Sequence, residues 1–268
     1  MLTILRQEEI MAILQAKKSA TVKQLEEALY ASGSTIRRDL TELEKLGLIR
    51  RSHGGAVLVE RTGDESSPLL REQQNPRQKR QAAEAAVSLI QSGMTLFLDS
   101  SSSSGMLIPL LGRLSDLTVI TNGLKNALLL SEKTSARVVM AGGTVKSGSG
   151  SVVGSEAYAS LERLHPDLAV FSCSGVDRQG MTETSLEQCS LKQLMLRNSA
   201  ASLLLCDDSK FGRTYLARLG DFSGLRYLAA NLAPDEEIRQ AMEAEGCTLV
   251  LPPRPKEEIL SREETVKK

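Results

Sequence analysis

Tryptophan is missing from the 268 residues, and four Phe and four Tyr bring the aromatic content to only 3%. That argues against a surface that binds sugars or bases by stacking. Neither sign of charge is in excess, since 33 Lys+Arg balance 33 Asp+Glu. No global field therefore draws the protein onto nucleic acid or membrane, and polyanion binding must come from a local cluster. The four cysteines (Cys173, Cys189, Cys206 and Cys247) never form a CxxC pair, and only His53 and His165 could join them. This spacing argues against a zinc site or a disulfide framework, so no metal or cofactor is expected, and reduced thiols fit a cytoplasmic location. No apolar run approaches the roughly 20 residues of a membrane helix. The start, Met1-Leu2-Thr3-Ile4-Leu5-Arg6, is not a basic leader followed by an apolar core, so neither secretion nor a membrane partner is expected.

The remaining composition, 41% apolar and 25% charged, is that of an ordinary globular chain. Its texture divides it into residues 1–59, a polar Pro- and Gly-broken linker at 60–76, a second domain at 77–251 and a charged tail at 252–268.

In the first segment, Ile4, Ile10, Ile13 and Leu14 recur at helical spacing up to about Lys18. Thr21-Val22-Lys23-Gln24 has the form of a capping box, opening a helix that turns Val22, Leu25, Ala28 and Leu29 inward. After Ala31-Ser32-Gly33, Ser32 or Ser34 can cap a third helix with Ile36, Leu40 and Leu43 buried. Gly47 suits a left-handed cap at its end. Helix, short turn, helix is the plan whose second member enters the DNA major groove. Arg37 and Arg38 follow Ile36 and so point away from the core, with Ser34 and Thr35 beside them. Arg can grip guanine O6 and N7 with two bonds, or a phosphate. Leu48 to Val57 reads as two short strands around Gly54-Gly55, a wing carrying Arg50, Arg51 and His53. Over residues 1–59 nine Lys/Arg face seven Asp/Glu. One such domain neutralises few phosphates, so a homo-oligomer, dimer or tetramer, built through residues 77–251 is expected.

Beyond residue 77, the apolar runs Thr95–Leu98, Leu117–Ile120, Arg137–Met140, Leu168–Phe171 and Ser202–Leu205 alternate with helical stretches at 78–91, 105–111, 123–131, 154–163 and 184–198. This is the pattern of a mostly parallel α/β sheet, in which ligands bind beyond the carboxyl ends of the strands. Those ends read Asp99-Ser100-Ser101-Ser102-Ser103-Ser104-Gly105, Thr121-Asn122-Gly123, Ser174-Gly175-Val176-Asp177 and Asp207-Asp208-Ser209-Lys210. Hydroxyls at a helix start form a candidate phosphate cradle. Asp99, Asn122 and Asp177 could accept from sugar hydroxyls, and Lys210 could supply the countercharge. A protein-binding α/β domain remains the bland alternative.

Ser34-Thr35-Ile36-Arg37-Arg38-Asp39-Leu40, then Leu43-Glu44, Gly47 and Arg51-Ser52-His53-Gly54-Gly55-Ala56, resemble the DNA-binding signature of the DeoR family of bacterial transcription factors. The resemblance implies a winged helix-turn-helix that binds double-stranded operator DNA, with Ser34, Thr35, Arg37, Arg38, Arg51, His53 and Gly54 at the contact. It also implies a domain that senses a sugar phosphate, in a protein usually repressing carbohydrate-metabolism genes. Residues 77–251 are similar to the family's C-terminal domain, whose strand-end Asp, small residue and three threonines stand here as Asp99–Ser103. That domain resembles ribose-5-phosphate isomerase and related deaminases. The likeness implies an isomerase-like fold in which Ser100–Ser104, Gly175 within Ser174–Asp177, and Lys210 line the site. Where the isomerase places its catalytic Glu before a Lys, Leu191 precedes Lys192, so no catalytic residue is expected. Glu183 and Glu187 lie near enough to keep an isomerase or deaminase with an accessory N-terminal domain as the alternative.

Overall fold

The computed structural model describes residues 3–45, 48–52, 54–58 and 68–253. The chain forms two compact units, Met1–Gln74 and Asn75–Lys268.

In the first unit, the helix Thr3–Lys17 is followed by a strand at Ser19–Thr21, helices at Val22–Leu29 and Gly33–Lys45, and strands at Ile49–Ser52 and Gly55–Leu58. Gly55–Leu58 lies in the middle of a three-stranded antiparallel sheet, flanked by the other two strands. Thr21 both ends its strand and caps its helix. Its side chain accepts from the Gln24 N–H at 3.2 Å, and the Gln24 side chain accepts from the Thr21 N–H at 2.9 Å. Ile10, Leu14, Leu25, Ile36, Leu40, Leu43 and Leu48 are fully buried together. Ala28, expected inside, is exposed. It lies at the edge of the Val22–Leu25–Leu29 stripe, and a methyl group gains little by turning inward. The strand Ser19–Thr21 was not anticipated, because three residues with a single buried Ala20 carry no readable alternation. The Gly47 cap falls outside the described residues.

One glycine here answers to close approach. A Cβ on Gly55 would lie 2.3 Å from the Ala20 carbonyl oxygen across the strand pair. Ser32 stands as the cap of the third helix, accepting from the Thr35 N–H at 3.4 Å.

The second unit is built on seven parallel strands, in the spatial order 248–250, 227–230, 201–206, 168–171, 95–98, 118–121 and 137–140. All five expected strands are present, with bounds shifted by at most one residue at either end. Successive residues face opposite sides, so both faces carry a core. Leu96, Leu98, Val170 and Leu205 pack with Ala83, Ala86, Leu107, Leu111 and Leu130 on one side. Phe97, Ala169 and Ile120 pack with Ala157, Leu161, Leu191 and Met195 on the other. Four features were not expected, one of them a separate antiparallel pair of short strands at Thr144–Val145 and Val152–Val153. Strands Tyr227–Ala230 and Thr248–Val250 with the helix Glu236–Ala244 extend one edge. Gly175–Asp177, Gly180–Glu183 and Ala217–Gly220 form a separate antiparallel sheet. The polar stretch read as a linker is helical at Pro68–Gln73, and the helix expected at 78–91 begins at Pro76 and runs to Ala86. Residues 60–67 of that stretch, like residues 254–268 of the tail, lie outside the described residues.

Among the described residues no helix is long and apolar enough to cross a membrane.

Candidate functional site

The third helix of the first unit presents its polar side as the burial pattern requires. Ser34, Arg37 and Arg38 are exposed and Thr35 is half-buried, around the buried Ile36 and Asp39. Asp39 is held from inside by Arg6, whose Nε and Nη2 donate to its two carboxylate oxygens at 2.5 and 3.2 Å. This two-pronged pair fixes the angle between the first and third helices without using the arginines on the outer face. Arg51 is exposed and folds back, its N–H donating to Glu44 Oε1 at 2.8 Å and its Nη1 to Thr41 Oγ1 at 3.2 Å. Gly54 turns the wing with φ +85°. His53 lies outside the described residues.

In the second unit the sequence order of the strands reverses between 95–98 and 168–171, which are neighbours in space. At such a switch point the two following loops diverge to opposite faces and leave a crevice at the carboxyl ends. Asp99 and Ser172 open those two loops, and the Ser172 N–H donates to Asp99 Oδ2 at 3.1 Å.

The serine run does not precede a helix as expected; it enters one. Ser101 caps the short helix Ser102–Gly105, accepting from the Ser104 N–H, while its own hydroxyl donates to Asp99 Oδ1 at 2.6 Å. Asp99, buried with both carboxylate oxygens engaged inside the protein, shapes the loop. Ser100 Oγ accepts from Gln188 Nε2 at 3.3 Å and Ser102 Oγ from Lys79 Nζ at 3.1 Å. Ser103 Oγ and Asn122 Oδ1 are buried with no hydrogen-bond partner among the described residues. Buried polar groups left unpaired in this way are costly. Lys210 Nζ donates to Ser172 Oγ at 2.6 Å and lies 3.9 Å from Asp207 Oδ2. Burial alone would raise the Asp207 carboxyl, but Lys210, the Ser209 hydroxyl, Lys79 and the Asn75 amide together hold it below the usual range.

Two expected residues are engaged elsewhere. Asp177 ends the first strand of the antiparallel sheet, where Arg218 and Thr214 take its carboxylate. Gly175 lies in that strand because a Cβ would come within 2.3 Å of the Arg213 carbonyl oxygen, a packing demand.

Lys79, which donates to Ser102, escaped sequence reasoning, and Lys192 and Glu183, noted there only against the isomerase pattern, are paired with each other. Lys192, buried, donates to Glu183 Oε2 at 2.6 Å and to the Ser172 carbonyl at 2.7 Å, and lies 3.4 Å from Asp99 Oδ2. Burial would push the Glu183 carboxyl up. Lys192, Ser174 and the Thr184 N–H outweigh it and hold the value at about 2. Glu183 is therefore a saturated ion-pair partner and a weak base. Glu187 pairs with Lys146 at 2.9 Å, and Leu191 is buried in apolar packing.

Comparisons with known proteins follow the same division. Residues 6–62 match the family described as DeoR-like helix-turn-helix domain, and residues 74–230 match the DeoR C terminal sensor domain. The HTH-type transcriptional regulator YulB of Bacillus subtilis (strain 168) is 35% identical over 84% of this chain and 88% of its own. The glycerol-3-phosphate regulon repressor of Haemophilus influenzae is 31% identical over 86% of this chain and 90% of its own. The L-fucose operon activator of Escherichia coli (strain K12) is 32% identical over 84% and 94%. Among solved structures, a ribose 5-phosphate isomerase from Methanocaldococcus jannaschii covers 51% of this chain and 55% of its own, at 17% identity and a TM-score of 0.39. That distance supports no inference about chemistry.

Proposed function

The chain belongs to the DeoR family of DNA-binding transcriptional regulators, and we propose that it is a cytoplasmic repressor of carbohydrate-metabolism genes, controlled by a sugar phosphate and without enzymatic activity. The reading divides the chain into a DNA-binding domain at 1–59, a linker at 60–76, an effector domain at 77–251 and a tail at 252–268. Ser34, Thr35, Arg37 and Arg38 meet the major groove, with Arg51, His53 and Gly54 at the wing. The observation that carries the effector site is the pair of buried orphaned groups, Ser103 Oγ and Asn122 Oδ1, on the loops that follow strands 95–98 and 118–121, with Lys79 at Ser102 and Lys210 at Ser172 on the same sheet end. A phosphate dianion asks for several donors and a cation, and a sugar hydroxyl asks for an acceptor such as Asn122 Oδ1. A missing base supports the non-enzyme reading, since Leu191 precedes Lys192 and Glu183 is tied in an ion pair. The domains act as a homo-oligomer, because one copy carries too little positive charge to hold an operator alone.

A panel of sugar phosphates at millimolar concentration tests this. At least one raises the melting temperature of the full chain and is recovered unchanged. Turnover of any member would replace the repressor reading with the isomerase or deaminase one.

A further inference from the structure

The first residues of the second unit are bound into the rim just described. Asn75 is the first residue of that unit and takes a left-handed conformation, φ +53°, immediately before the helix Pro76–Ala86. Its amide Nδ2 donates to Asp207 Oδ1 at 3.0 Å and to Ser209 Oγ at 2.9 Å. One turn later Lys79, only 5% exposed, reaches Ser102 Oγ at 3.1 Å. The start of this helix therefore touches two strand-end loops, the serine loop after strand 95–98 through Lys79 and the 207–210 loop after strand 201–206 through Asn75.

We propose that Lys79 is a phosphate-binding residue of the effector site and that Asn75 transmits occupancy of that site to the domain boundary. The inference rests on the effector reading given above. Asp207 is the shared element. It lies next to Lys210, feels the charge of Lys79 and accepts from Asn75. A dianion seated on Ser102, Lys79 and Lys210 draws both ammonium groups toward itself. Asp207, stripped of part of its cationic support, then leans harder on the neutral donors that remain, Asn75 Nδ2 and the Ser209 hydroxyl. The Asn75 bond tightens when ligand arrives. The left-handed backbone at Asn75, where Gln74 from the first unit joins, becomes correspondingly harder to release. The coupling runs along the covalent chain and needs no contact between units.

The test uses the full chain with inorganic phosphate as probe and chloride at matched ionic strength as control. It records the melting temperature and backbone amide exchange over residues 69–80. In the wild type, phosphate raises the melting temperature and slows exchange across this segment about fivefold, the lower end of ordinary coupling between sites. Lys79→Gln abolishes both effects, and Lys79→Arg, which keeps the charge, retains the thermal shift. Asn75→Ala keeps the thermal shift and loses the slowing, an outcome that a purely structural Asn75 would not produce. A Lys79→Gln chain that responds like wild type, or an Asn75→Ala chain that keeps the slowing, overturns the inference while leaving the effector site in place. A wild type indifferent to phosphate overturns the effector reading together with it.

Discussion

The two units hold their positive charges in opposite ways. In the first, Arg37 and Arg38 stand exposed on a helix whose inner face is apolar, while Arg6 is drawn in to brace Asp39. In the second, Lys79, Lys192 and Lys210 are turned inward and each is tied to named partners. Under the proposed function the difference at Lys79 and Lys210 matches the size of the anion that each unit would meet. An extended polyanion is reached by side chains in water and bound with release of counterions. A small dianion is held only where donors are fixed and water is displaced. Neutral net charge over the whole chain conceals this contrast entirely.

The contrast can be broken most forcefully at Lys192. Lys192→Ala leaves Asp99 and Glu183 as buried carboxylates without their cation and should cost roughly 3–5 kcal/mol. Denaturant unfolding of the second unit's transition reads this directly, and a loss under 1 kcal/mol would show that the triad is not the internal brace described here.

Acid titration probes the same pair without mutation. The folded Glu183 carboxyl lies at about 2, below its ordinary 4.5. Its contribution is therefore complete above the ordinary value and disappears as pH falls through about 2. On the order of 3 kcal/mol should drain away across that window. Glu183→Gln, followed by thermal melts at several pH values, flattens that dependence if Glu183 is its source.

On the exposed side the expected effect moves from stability to binding. Arg37→Ala or Arg38→Ala should weaken operator binding by about 1–3 kcal/mol if the residue reads a base, with the melting temperature unchanged. Salt-controlled shift assays decide this, and an unaltered double variant would remove both arginines from the interface.

The smallest effect concerns Tyr30, which is 97% exposed and closes the second helix with φ +49°. A side chain in that region is strained by roughly 1 kcal/mol relative to glycine. Tyr30→Gly should stabilise the first unit by about that amount in a chemical melt, and a loss of stability would mean the ring has a use that its exposure hides.

What the sequence made legible follows the range of the interactions. The helix-turn-helix could be read because its stripe Ile36, Leu40 and Leu43 and its cap residues are local. The five central strands could be read because apolar runs bounded by polar ends need no partner to be seen. Tyr227-Leu228-Ala229-Ala230 was missed because Leu and Ala read equally as helix, and only pairing with Leu203–Cys206 fixes it as a strand. Lys79 was missed because Pro-Arg-Gln-Lys-Arg looks like a solvated face. Yet Lys79 falls at helical spacing with Ala82, Ala83 and Ala86, all buried, and that register placed it inside. Lys192 sits likewise on the buried stripe with Gln188 and Met195. Asp177 was assigned to the rim from its Gly-Val-Asp context, and only the bond to Arg218, 41 residues away, reveals a different role.

Under the proposed function, a phosphate-bearing ligand held at the serine loop governs DNA binding by the other unit. The most direct test is operator affinity with and without the sugar phosphate that raises the melting temperature, in the wild type and in the double variant Ser102→Ala, Lys210→Ala. The wild type should show a ligand-dependent change of about 5- to 150-fold, and the variant should keep wild-type affinity with no response to ligand. A double variant that responds as the wild type does would contradict the proposed function.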